Sequence, residues 1–187
     1  MDKNVQAAVL PEILDLPNRF IQTRVNQIIS HGLRAVMRDL DYGDPAVSFS
    51  FAYVVPIDTK GVLSLYGDIY AYRERAAHGQ TIRRSYTFDL LTGRLYQLSD
   101  LFRKDSDYIG RISAIIKEQI EEREIPLIKP FDKITSDTGY YLTANELIVY
   151  FQAYEYTPGY VGIPEFSIPY TAIEGLVAPD SPINRLI

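Results

Sequence analysis

The sequence predicts an α+β fold: antiparallel sheets carried by two main helices, with a helix–hairpin–strand pattern occurring twice. Two segments, 19–40 and 107–123, place their apolar residues at helical spacing. Each is followed by alternating, Val- and aromatic-rich segments that pair as hairpins across short polar turns. No strand–helix–strand alternation is present, so a parallel sheet is not expected.

From the N-terminus, residues 5–16 are apolar but broken by Pro11 and followed by Pro17, which predicts an extended segment. Asn18 is placed to cap a helix over 19–40, in which Ile21, Val25, Ile28, Ile29, Val36 and Leu40 share a face. Gly32 within it costs ~1 kcal/mol relative to Ala and weakens the expectation of an unbroken helix. Residues 46–57 and 62–73 form strands around the turn 58–61. A loop over 74–81 leads to a third strand at 82–91, with Tyr86, Phe88 and Leu90 on one face, closed by Thr92-Gly93.

Residues 98–102 read as a helical turn capped by Ser99. The second helix follows, with Ile109, Ile112, Ile116 and Ile120 near one face, and Pro126 stops it. Strands at 139–142 and 146–153 pair across Thr143-Ala144-Asn145, a loop spans 156–164, and a last strand covers 165–169. One helical turn at 171–177 and a loose tail from Ala178 complete the expectation. The two halves, 1–94 and 95–187, are expected to pack as one compact unit.

Composition narrows function by exclusion. A net charge of −5 and scattered basic residues argue against nucleic acid and anionic membrane surfaces. With no cysteine and only His31 and His78, disulfides, thiolate sites and multi-histidine metal sites are excluded, and no cofactor or metal is expected. No apolar run approaches the ~20 residues that cross a bilayer, so this segment predicts no membrane insertion. Met1-Asp2-Lys3-Asn4 leads into a short apolar patch with no basic leader region, so it does not read as a signal peptide; a cytoplasmic protein, or one whose export signal lies outside this sequence, fits equally. Asp39, Asp41 and Asp44 suggest a calcium loop, but Gly43 and Ser50 stand where ligands are needed.

The sequence resembles the paired domains of RsiV-type anti-sigma factors, found also beside peptidoglycan deacetylase domains of the PdaC type. The matching residues are Leu10-Pro11-Glu12-Ile13, Ala77-His78-Gly79, Phe88-Asp89-Leu90-Leu91-Thr92-Gly93 and Leu98-Ser99-Asp100-Leu101-Phe102. Tyr150-Phe151-Gln152 follows, and the series ends at Gly162-Ile163-Pro164-Glu165-Phe166-Ser167-Ile168-Pro169-Tyr170. Arg75-Ala76 stands where the family has two glycines, which argues against a glycine-dependent conformation there. The resemblance implies an extracytoplasmic location. It also implies a binding or sensing role toward a lysozyme-like protein or a wall glycan, because the similar outer domain of the anti-sigma factor binds lysozyme. In the deacetylases the chemistry resides in a separate domain, so the resemblance brings no catalytic residues.

Two places gather unusual residues. Residues 140–170 hold seven of the 15 tyrosines, and Tyr154, Glu155, Tyr156 and Tyr160 surround a Thr-Pro-Gly loop. Tyrosine buries interface area at low entropic cost and can stack on a sugar; it can equally cover the end of a sheet. His78 either faces a cleft as a ligand-binding or proton-transferring group, or bonds to neighbouring backbone while Gly79 takes a positive φ. The alternative function is a cell-wall carbohydrate hydrolase using His78 with nearby carboxylates, Glu155 with Glu165 or Asp89 with Glu74. The cluster Glu118, Glu121, Glu122 and Glu124 reads as a solvated helix face.

Overall fold

The computed structural model describes residues 10–187. Residues 10–17 carry no regular structure and lie along the first helix, where the Asn26 side chain bonds both ways with the Ile13 backbone at 2.8 and 2.9 Å. The first part of the expected extended segment, residues 5–9, lies outside the described residues. Helix α1, Arg19–Asp39, starts where Asn18 Oδ1 accepts the Phe20 and Ile21 N–H groups. It buries Ile21, Val25, Ile29, Leu33, Val36 and Met37. Gly32 does not break it; a Cβ there would lie 2.0 Å from the Tyr86 hydroxyl, so the glycine admits a neighbouring ring.

The first sheet has the order β1 (Val47–Thr59), β2 (Val62–Arg73), β3 (Gln80–Asp89) and β4 (Arg94–Leu95). The first turn is tighter than the expected 58–61. Thr59 pairs with Val62, and Lys60 and Gly61 sit at φ 50° and 71°, a two-residue turn whose twist matches the strands. Pro56 is tolerated because β1 is an edge strand whose register shifts between Val54 and Ile57. The third strand runs 80–89 rather than 82–91, because Asp89 Oδ1 accepts the Leu91 and Thr92 N–H groups and turns the chain.

Leu98–Leu101 forms a short 3-10 turn, and its cap is not Ser99: Asp100 Oδ2 accepts the Gln97 N–H at 2.9 Å. Helix α2, Tyr108–Glu122, is capped by Asp107 and buries Ile112, Ser113 and Ile116. The second sheet has the order β5 (Tyr140–Leu142), β6 (Glu146–Tyr150) and β7 (Glu165–Pro169). The helix–hairpin–strand order therefore recurs, and both sheets are antiparallel, as the α+β expectation requires.

Burial fixes how the elements stack. The odd positions of β2, Leu63, Leu65 and Ile69, meet α1 together with Tyr86 and Phe88. On β6, Leu147 and Val149 join α2 in a second core, while Ile148 and Tyr150 turn toward Tyr66 of the first sheet. The layers run α1, first sheet, second sheet, α2.

The expected loose tail is instead packed. Ala178 N–H donates to Leu101 C=O at 2.9 Å and Ile183 is fully buried. Arg185 meets Asp89 at 3.0 Å, and Asp180 meets Arg94 at 2.9 Å. The segment expected as one helical turn at 171–177 instead takes part in two 3-10 turns, Tyr170–Ala172 and Glu174–Leu176.

Burial also pushes several tyrosine hydroxyls up, Tyr86 to about 12 and Tyr140, Tyr141 and Tyr170 further. Unfolded tyrosine ionises near ~10, so above that pH the unfolded chain sheds protons that the fold retains. Stability is complete below about pH 10 and is lost as pH rises through about 12. Urea midpoints measured from pH 9 to 12 are expected to fall across this window, and a flat profile would contradict the packing described.

Candidate functional site

Between the two sheets runs a face that is polar yet largely buried. Alternation places Ser64, Tyr66 and Asp68 of β2 beside Thr87, Ser85 and Arg83 of β3, all facing the second sheet. Most of these polar groups find a partner. Ser64 bonds Thr87 at 2.9 Å and accepts the Leu142 N–H at 2.9 Å, and Ser85 bonds the Tyr150 hydroxyl at 2.9 Å.

Arg83 is the centre of this face. Its side chain, 9% exposed, makes a two-pronged pair with Asp68, Nε to Oδ1 and Nη2 to Oδ2, both at 2.7 Å. Nη1 bonds Glu165 at the start of β7. The guanidinium also lies 4.0 Å over the Tyr66 ring. Burial pulls its pKa down, but the two carboxylates outweigh that and hold it above the usual arginine value. Its backbone is closed off by Gln152, whose Oε1 accepts the Arg83 N–H at 2.9 Å and whose Nε2 donates to the Arg83 C=O at 2.8 Å.

At the end of this face opens a cleft of about 470 Å³, floored by Asp68, Thr81 and Arg83 and rimmed by Tyr70, His78 and Tyr154. The His78 and Tyr154 rings stack with centroids 5.3 Å apart, joining two of the predicted site residues from opposite halves of the chain. Nδ1 of His78 lies 3.2 Å from the Gly79 C=O, and no carboxylate bonds it among the described residues. Gly79 does not take the expected positive φ; it is needed because the Tyr70 ring lies 2.3 Å from where a Cβ would be. Tyr154 does take one, φ 65°, a conformation disfavoured for a bulky side chain, with its ring packed against Gly159. Arg75 likewise adopts φ 69°, so the left-handed conformation that the replacement of glycine argued against is present, carried by an arginine.

The other predicted residues have different surroundings. Glu155 accepts the Gln152 N–H at 2.9 Å and so fixes the turn that presents Gln152. Tyr156 packs between Phe131 and Phe151 in the second core, with Lys129 4.5 Å over its ring. Tyr160 projects from the 3-10 turn Gly159–Val161 and is 83% exposed. The carboxylates of the proposed pairs have partners or positions of their own. Glu165 is engaged by Arg83, and Glu155 by the Gln152 N–H. Asp89, opposite Val62, and Glu74, next to Arg73, sit at opposite ends of β2, roughly 35 Å apart at strand rise.

Sequence reasoning missed Asp68, Arg83 and Gln152. The available signal was cross-strand: with β2 and β3 paired through their turn, Asp68 falls directly opposite Arg83. Substituting Gln152 with Ala removes both bonds to the Arg83 backbone while leaving the ion pairs. A loss of about 2–4 kcal/mol is expected for two stranded, part-buried backbone groups, measured by urea unfolding; a change near zero would mean that water replaces the amide.

Residues 99–171 match the family described as "Protein of unknown function (DUF3298)". The chain is 34% identical over 137 residues, 67% of its length, to the anti-sigma-V factor RsiV of Bacillus subtilis (strain 168). It is 21% identical over 108 residues, 54% of its length, to the peptidoglycan-N-acetylmuramic acid deacetylase PdaC of the same organism. The chain spans 47% of the first relative and 23% of the second. A solved DUF3298 family protein from Pseudomonas aeruginosa PAO1 superposes with a TM-score of 0.65 at 17% identity, covering 88% of this chain and 81% of that one. A duf3298 family member from Bacteroides fragilis gives 0.61 at 16% identity, covering 92% and 74%. These two likenesses bear on the fold alone. The segment that contains α2 and the second sheet matches the DUF3298 family, in a chain homologous to RsiV and, more distantly, to PdaC.

Proposed function

We propose that this chain is a non-enzymatic, extracytoplasmic binding and sensing domain of the cell envelope, whose partner is a lysozyme-like protein. The observation that carries the proposal is the cleft rim. Tyr70, His78 and Tyr154 offer ring surface around polar groups already committed to one another, with Tyr160 projecting beside them. Rigid aromatic rims over a satisfied polar floor suit recognition, since interface energy concentrates in such anchors. General acid–base chemistry needs a proton-transferring pair, and among the described residues His78 bonds only its neighbour's carbonyl. Similarity to an anti-sigma factor supports a sensing role. The net charge of −5 favours a basic partner, chiefly through faster association. A wall glycan is the second candidate ligand, supported by similarity to a peptidoglycan deacetylase.

Calorimetric titration with a purified lysozyme, and separately with soluble peptidoglycan fragments, tests this. Saturable lysozyme binding is expected, weakened roughly 30-fold or more by the double change Tyr154→Ala and Tyr160→Ala if both are anchors. Binding of neither probe removes the proposal, and release of reducing ends from the fragments would favour the hydrolase instead.

A further inference from the structure

The outer edge of β3 is filled unevenly. Its odd-numbered residues direct their backbone groups away from β2: Arg83 exchanges two bonds with the Gln152 carboxamide, and the Thr87 C=O accepts the Tyr96 N–H at 2.9 Å. The even-numbered side faces β2, as the bond from Leu90 N–H to Gly61 C=O at 2.8 Å continues. Ser85 lies midway between Arg83 and Thr87, so its N–H and C=O also point outward. No hydrogen bond from a described residue reaches either group on that side.

These two groups face a groove of about 300 Å³, separate from the His78 cleft. Gly32 and Ala35 of α1 line one wall without long side chains, and Gly139 and Tyr150 line the other. Arg84 and Asp137 also line it, so the groove holds one charge of each sign and no net attraction for an ion.

We infer that this groove docks a short, uncharged, extended peptide segment, which adds the missing rung to β3 at Ser85. The occupant follows from the neighbouring rungs. One is filled by a carboxamide and the other by a main-chain N–H, so the open one between them has the donor–acceptor spacing of an amide chain. Addition of a strand to a free sheet edge is a common mode of peptide capture, with affinity from main-chain bonds. The site does not depend on the sensing role proposed above.

The test uses the full chain labelled with ¹⁵N, acetyl-trialanine N-methylamide as probe, and the same peptide methylated on its central amide nitrogen. Saturable shifts centred on Ser85 are expected, with slower solvent exchange of its amide in the complex. Loss of the central N–H is expected to weaken binding about fivefold or more. Ser85→Pro, which removes an N–H the β2 ladder does not use, abolishes binding, whereas Ser85→Ala retains it. Ala35→Leu narrows the groove without touching the strand and has the same effect as Ser85→Pro, which covers the case that the proline variant does not fold. Equal binding of the methylated peptide, shifts centred on His78 and Tyr154, no shift at all, or a Ser85 amide already protected in the free protein would each overturn the inference.

Discussion

A guanidinium buried between two sheets has to be neutralised and its donors used, because an unpaired charge there would cost several kcal/mol. Arg83 meets this condition through groups drawn from both halves of the chain. Asp68 comes from the adjacent strand and Glu165 from β7, while Gln152, from the segment after β6, holds the Arg83 backbone. The first sheet therefore cannot complete its own polar face; it needs the second sheet in one particular register. The same holds for Ser64, which accepts from Leu142, and Ser85, which bonds Tyr150. An apolar seam would tolerate sliding, whereas a row of directional bonds does not.

The cleft follows from that constraint. It lies where the polar seam reaches solvent, and Asp68 and Arg83 serve at once as the seam's last pair and the cleft's floor. Holding β3 against the segment after β6 also brings His78 and Tyr154 into ring contact, although 76 positions separate them in sequence (154 − 78). The left-handed Tyr154 persists because Gly159 receives its ring and His78 stacks on it. A rim set in this way is pre-organised, which lowers the entropic cost of binding a partner.

Much of the fold was legible in single segments. Asn18 caps the first helix as expected, the second helix falls within one residue of 107–123, and β7 covers 165–169, because local periodicity and capping chemistry act over a few residues. What escaped depends on contacts distant in sequence. The tail from Ala178 looks loose by itself and is ordered by Leu101, Asp89 and Arg94. Gly79 suggests a positive φ but answers to the Tyr70 ring, while Arg75 adopts the left-handed conformation that the absence of glycine argued against. Of the candidate site, His78 and Tyr154 could be named, but not their stacking. Tyr156 could not be told from a surface tyrosine until Phe131 and Phe151 were seen around it.

Residue-resolved native-state hydrogen exchange tests most directly whether Arg83 makes the two sheets open as one body. In the wild-type chain the slowest amides of β2, β3 and β6 are predicted to share one opening free energy. In Arg83→Met, which keeps the bulk but strands Asp68 and Glu165, β6 is predicted to open below β2 and β3, by about 2–4 kcal/mol, toward the lower end because those carboxylates are 30% and 39% exposed. Separate opening energies in the wild type, or a single shared value that survives Arg83→Met, would contradict the account.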